Sequence, residues 1–177
     1  MPLGLAEPTA ASSLRVYDMR PKPFLPETFN NDDRFVMDRT EGLVWHRCNN
    51  RTLYGDTDRS QSVYHANYLR FFEIGRASLM RDSGCSYREI EESGLIYPII
   101  EAGIQYYSPL YYDDVMWIYT HPDKIERVRI QFNYIITHAD SNDIVCKGFT
   151  RHCAINASRK PVAIDPKTLR IWKAFPK

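Results

Sequence analysis

A change of hydrophobic period near residue 95 constrains this chain more than any other feature. Before it, Tyr68, Phe72, Gly75 and Leu79 fall at i, i+4, i+7 and i+11, the stripe of one buried helix face, with Leu69 and Met80 beside it. The spacing predicts a helix from about His65 to Asp82, ended by Asp82-Ser83-Gly84. Gly75 inside that helix costs roughly 1 kcal/mol relative to alanine, so close approach to another element is expected there. Ser86-Tyr87-Arg88-Glu89 has the form of a capping box and predicts a second, short helix stopping at Ser93-Gly94. After that the period is two. Ile100, Ala102, Ile104 and Tyr106 alternate with Glu101, Gly103 and Gln105, and Val128, Ile130, Phe132, Tyr134 and Ile136 alternate with Arg129, Gln131, Asn133 and Ile135. Further strands are expected at 43–54, 115–120 and 144–155, with a short last one at Val162-Ala163-Ile164. One long helix and a run of turn-linked strands predict an α+β domain, an antiparallel sheet curled around the helix.

The first 41 residues are different. Five of the eleven prolines lie there (Pro2, Pro8, Pro21, Pro23 and Pro26), and the apolar residues keep neither period. The expected organisation is an extended arm over 1–41, ordered only where it lies on the body, and one domain over 42–177. Glu7, Asp18, Glu27, Asp32 and Asp33 argue against a transit peptide, and no basic, apolar leader is evident. Lys+Arg 23 against Asp+Glu 22 leaves a net charge of +1, which gives no reason to expect nucleic acid or an anionic membrane as partner. No apolar run is long enough to span a bilayer. Cys48, Cys85, Cys146 and Cys153 form no C-x-x-C pair and read as reduced thiols, so the expected location is cytoplasmic. His46-Arg47-Cys48 and His152-Cys153 lack metal-ligand spacing; neither a metal nor any other cofactor is expected.

Chemistry concentrates between Tyr54 and Glu73, YGDTDRSQSVYHANYLRFFE. Two acids, Asp56 and Asp58, precede the start of the long helix. The first N–H groups of a helix lack internal partners and carry partial positive charge, so they can hold a carbonyl oxygen as it becomes an oxyanion. A carboxylate on the incoming loop can face the same point as base or nucleophile. Asp56 reads instead as a brace for the loop.

The run D-T-D-x4-V-Y-H-A-N-Y-L-R-F-F-E, with Tyr97-Pro98-Ile99-Ile100-Glu101, Tyr107-Ser108-Pro109 and Tyr111-Tyr112-Asp113-Asp114 in order after it, resembles the hotdog-fold acyl-CoA thioesterases of the 4-hydroxybenzoyl-CoA thioesterase type. It is most similar to the branch that includes the Tol-Pal-associated thioesterase. The resemblance spans about 43–166. It implies that Asp58 is the catalytic carboxylate, nucleophile or general base, that the backbone N–H at His65 polarises the thioester carbonyl, and that Tyr54 stands near the site. It also implies a homodimer or homotetramer with sites between subunits and an acyl-CoA substrate. Tyr64, Asn67, Tyr68 and Gln61 are the residues expected to line the substrate. Gln61 marks a departure, because the family carries a glycine two or three residues after the aspartate. Glu73, eight residues past His65, is the rival base, from a branch that places a glutamate on the helix; its plainer role is an ion pair with Arg76 or Arg70. Two other readings stand beside hydrolysis. One is a non-catalytic hotdog protein that binds acyl thioesters or scaffolds partners; the other is a hydratase, whose G-D-x-N-P-x-H signature is absent.

Overall fold

The structure, a computed structural model, describes residues 21–176. Seven strands form one sheet: β1 (Pro26–Phe29), β2 (Asp32–Asp38), β3 (Val44–Arg51), β4 (Ile99–Tyr106), β5 (Val115–Ile125), β6 (Arg129–His138) and β7 (Ile144–Cys153). Their spatial order is β1-β2-β3-β5-β6-β7-β4, every pair antiparallel. Helix α1 (Asn67–Asp82) lies on one face and buries Tyr68, Phe71, Phe72, Gly75, Leu79 and Met80. This is the helix-on-antiparallel-sheet arrangement that the helix-then-strands order predicts, and the hotdog fold that the resemblance implies. The contact is tight at Gly75, where an added Cβ would stand 2.6 Å from Ile118 Cγ2 and 2.6 Å from Thr120 Oγ1. Phe72 stacks on Tyr134 of β6 with ring centroids 4.3 Å apart, fixing the helix along the strands. Ile130, Phe132, Tyr134 and Ile136 complete that inner face, as their alternation requires. Helix α2 (Tyr87–Glu92) starts on the expected capping box, with Ser86 N–H donating to Glu89 Oε2 at 2.8 Å and Glu89 N–H to Ser86 Oγ at 3.3 Å.

Several elements differ from expectation. Within the stretch expected as an extended arm, residues 1–20 lie outside the described residues, and 26–38 form the β1–β2 hairpin on the edge of β3. Asn30 and Asn31 both take positive φ, 54° and 56°, the two-residue turn that matches the twist of paired strands. Phe24 packs edge-on against Trp45 and Tyr119 and, with Val36 and Ile135, makes a second apolar cluster on the outer sheet face. No strand forms at Val162-Ala163-Ile164; the chain makes a single bridge, Pro161 to Ile155, and then enters an unexpected helix α3 (Pro166–Lys173). Asp165 caps that helix through Thr168 N–H, and Pro166 occupies its first turn. The expected alternation of buried and exposed residues fails in β4, because β4 is the sheet's edge: Ile99, Ile100 and Tyr106 remain about half exposed. Among the described residues no helix is long and apolar enough to cross a membrane.

Candidate active site

The loop before α1 is built around Asp56. Its carboxylate is buried, accepts the Leu53 N–H at 2.9 Å and pairs with Arg70 of α1. Its carbonyl accepts from Asn67 Nδ2 and from the Tyr64 N–H, both at 2.9 Å. One acid thus ties the turn Tyr54–Asp56 to the first turn of the helix. Arg70 is thereby committed to Asp56 and not to Glu73.

Asp58 opens a tight hairpin. Gln61 N–H donates to Asp58 O at 2.9 Å, Asp58 N–H donates to Ser62 O at 3.0 Å, and Thr57 bridges Val63. A three-residue loop of this kind needs its last residue in the left-handed region. Gln61 has φ 66°, so it carries the conformation that a glycine would adopt without strain. The Asp58 carboxylate is exposed and accepts from Ser60 N–H at 2.7 Å and Ser60 Oγ at 2.5 Å. Those two bonds hold its pKa below the ordinary carboxylate value, with a smaller contribution from nearby His65.

Helix α1 begins at Asn67, two residues later than expected, and its N-cap is Ala66, which has no side chain to cap it. The Asn67 N–H is used by Tyr64 O at 2.9 Å. Among the described residues the N–H groups of His65 and Ala66 donate to no backbone or side-chain acceptor. His65 stands at a cleft of about 280 Å³, which it lines with Val63, Tyr68, Tyr106, Tyr107, Ser108 and Pro109. Tyr68 is buried there, its hydroxyl pKa pushed up to about 12 chiefly by desolvation, so it is a neutral phenol on the cleft floor. Tyr106 donates from its hydroxyl to His65 O at 2.8 Å.

The expected site residues divide accordingly. His65 and Tyr68 line the cleft. Asp58 is not among the residues that line it; it follows Thr57, the bridge partner of Val63 in the wall. Tyr64 packs its ring on His65 at 4.4 Å. Asn67 turns its amide back to the Asp56 loop, and Gln61 sits at the hairpin tip. Tyr54 is 80% exposed and lies edge-on to Tyr112, apart from the cleft. Glu73 is exposed two turns along α1. Tyr106 was missing from the expected set: it is on β4, and no local spacing ties a strand residue to a helix start 41 positions earlier. Among the described residues no group of three His, Cys, Asp or Glu side chains could hold a metal. His46 and His152 are spent internally, His46 Nε2 on Asp82 Oδ2 at 2.7 Å and His152 on Thr150 and Tyr97.

Comparison with known proteins places the chain in one family. Residues 52–171 match the family described as the thioesterase-like superfamily. A protein of Aquifex aeolicus, provisionally named an esterase, is 32% identical over 123 residues, covering 70% of this chain and 94% of its own. A Bacillus subtilis protein, provisionally named acyl-CoA thioesterase YneP, is 31% identical over 124 residues, 70% of this chain and 84% of its own. The crystal structure of a hypothetical protein from Aquifex aeolicus superposes with a TM-score of 0.67 at 30% identity, covering 71% of this chain and 98% of that one.

Proposed function

The chain belongs to the thioesterase-like superfamily, and from that premise we propose that it hydrolyses an acyl-CoA thioester to the free acid and coenzyme A. The observation that carries the reading is the uncapped start of α1: among the described residues the amide of His65, a residue that lines the cleft, is left without a protein acceptor, seven residues after a carboxylate whose ionised form Ser60 favours. A helix start that leaves its donors unspent is suited to an oxygen ligand.

In this reading the thioester oxygen accepts the His65 N–H. Asp58 then acts in one of two ways. As nucleophile it forms a C–O bond to the carbonyl carbon, the tetrahedral oxyanion collapses with cleavage of the C–S bond, and coenzyme A departs as thiolate; water then splits the mixed anhydride and regenerates the carboxylate. As general base it takes a proton from water while the water oxygen bonds to carbon, and that proton leaves with the thiolate. Either route starts from the ionised carboxylate, the form that Ser60 favours. Loss of one oxyanion donor typically costs about 3 kcal/mol in the barrier. Tyr68 shapes the acyl side, Tyr64 backs the His65 ring, Asn67 ties the Asp56 loop to the helix start, and Gln61 sets the hairpin that carries Asp58.

The motif run supports placement in the 4-hydroxybenzoyl-CoA thioesterase type, nearest the Tol-Pal-associated branch. The edge strand β4, with unpaired backbone and half-exposed Ile99 and Ile100, supports a homodimer or a pair of dimers in which each site borders the neighbouring subunit. Four free thiols suit a cytoplasmic setting. The test is thiol release from acetyl-, octanoyl-, palmitoyl- and benzoyl-CoA by the wild type and by Asp58→Asn. The variant should lose at least about 100-fold in kcat, the usual scale for removing a general base or nucleophile. Full turnover in the variant removes Asp58 from the role; binding of coenzyme A without release from any substrate indicates a non-catalytic binder instead.

A further inference from the structure

Resting on that reading, we propose that Tyr68 determines specificity: its hydroxyl donates to an acceptor oxygen on the acyl group, so the favoured substrates are acyl-CoA thioesters with an oxo group close to the thioester, not plain alkyl chains. Four of the residues lining the cleft carry hydroxyls. Three of those protons are spent on the protein. Tyr106 donates to His65 O at 2.8 Å, Tyr107 to Gln105 Oε1 at 2.8 Å and Ser108 to Ile144 O at 3.0 Å. The fourth hydroxyl, that of Tyr68, meets the Leu110 N–H, which fills a lone pair on the oxygen and leaves the proton without an acceptor among the described residues.

Tyr68 is only 3% exposed, yet its oxygen is not sealed in as the partnerless Tyr97 Oη and Thr137 Oγ1 are. It opens on the cleft that its ring lines. Burial keeps the phenol neutral, so it is a donor at any working pH. A buried donor left unpaired is costly. A substrate oxygen that displaces water from it keeps the bond, and an alkyl chain forfeits it.

Position decides which part of the substrate the hydroxyl meets. Tyr68 is the second residue of α1, and helical side chains tilt toward the N-terminus, so its ring leans back over the turn that holds His65. Edge contacts to Tyr106 at 5.2 Å and to Phe71 at 5.8 Å fix it there. His65 and Tyr106 stand at the exposed mouth of the cleft and Tyr68 forms its buried floor. The pantetheine arm has to reach a nucleotide in solvent and leaves by the mouth, so the acyl group is what meets the floor. The backward lean sets the hydroxyl beside the first carbons of that group and not at its far end. A ketone oxygen needs a donor and nothing else, which is what the floor offers.

The variant is Tyr68→Phe, which keeps the ring against Tyr106 and Phe71 and removes only the donor. On the full chain, kcat/KM for thiol release is measured with 3-oxooctanoyl-CoA and with octanoyl-CoA, and the readout is their ratio within each protein. A general loss of activity or of folded protein leaves that ratio where it was. The wild type should prefer the 3-oxo thioester, and the ratio should fall by roughly three- to tenfold in Tyr68→Phe, the size of one lost neutral hydrogen bond. A wild type without the preference, or an equal ratio in the two proteins, overturns the role. A wild type that releases no thiol from either compound defeats the proposed hydrolysis and leaves both thioesters as stable ligands. Their Kd ratio by calorimetry then takes the place of the kinetic one, with the same fall expected in Tyr68→Phe; equal ratios, or no binding, overturn the role of Tyr68.

Discussion

Acid should weaken this fold through His152, and the size of the effect can be worked from its surroundings. His152 is buried on β7. Its Nδ1 lies 2.9 Å from Tyr97 O, which can only accept, so Nδ1 carries the proton. Nε2 is then the acceptor for Thr150 Oγ1 at 2.8 Å, whose oxygen takes the Tyr134 hydroxyl proton at 2.8 Å. Every position is filled by the neutral ring, and a second proton on Nε2 would cost the Thr150 hydroxyl the ring nitrogen it donates to. Burial, with the Arg76 charge nearby, lowers its pKa to about 4. Above pH 6.5 the ring is neutral folded or unfolded and the site is silent. Below that the unfolded chain takes up a proton that the native ring refuses until about pH 4, so stability is lost as pH falls through this window. One such site contributes a loss of about 2.5 kcal/mol by pH 4.5, approaching roughly 3.4 kcal/mol well below pH 4. His46, also pushed down by burial, adds a loss of the same sign, so the comparison must be between variants. Urea unfolding of the wild type and of His152→Gln at pH 7.5 and 4.5 supplies it. His152→Gln should be the weaker protein at pH 7.5, yet should lose about 2.5 kcal/mol less than the wild type on acidification. Equal losses in the two proteins refute a ring held neutral by its neighbours.

Two substitutions probe the elements that hold the site. Gln61→Gly should stabilise the chain: it relieves about 1–2 kcal/mol of left-handed strain against roughly 0.5–1 kcal/mol of added chain entropy, a gain of at most about 1.5 kcal/mol. A midpoint unchanged or lowered in thermal unfolding would show that the Gln61 side chain contributes more than its backbone costs. Gly75→Ala should destabilise despite the better helix propensity, because its Cβ meets Ile118 and Thr120 at 2.6 Å and overpacking costs about 1–3 kcal/mol against roughly 1 kcal/mol gained. A stabilised Gly75→Ala protein would mean that α1 sits farther from β5 than described.

What the sequence made legible was what local rules decide. The inner stripe of α1, the pinch at Gly75, the capping box of α2 and the alternation in β6 all follow from neighbours within a few residues. The β1–β2 hairpin was legible too, in Asn30-Asn31 between Thr28-Phe29 and Phe35-Val36, but the surrounding prolines masked it. Helix α3 announced itself in Asp165-Pro166, a cap followed by a first-turn proline, with Leu169 and Trp172 one turn apart. Other features were out of reach. The exposure of Ile99 and Ile100 depends on which strand ends the sheet. The bond from Tyr106 to His65 O joins residues 41 apart, and the pairing of Arg70 with Asp56 depends on how the loop folds over the helix. At the site, the acid and the helix start were readable from spacing, and the missing cap at Ala66 only once the helix boundary was fixed.

The central claim is that backbone amides, and not the imidazole, polarise the thioester, and the most direct measurement compares two changes at one position. His65→Ala removes the side chain and keeps the N–H; His65→Pro removes the N–H, at a place before the first helical residue where proline is tolerated. With both variants folded by circular dichroism, the account predicts that kcat for thiol release is roughly 100-fold lower in His65→Pro than in His65→Ala, the scale of one lost oxyanion donor. Equal rates in the two variants would contradict it.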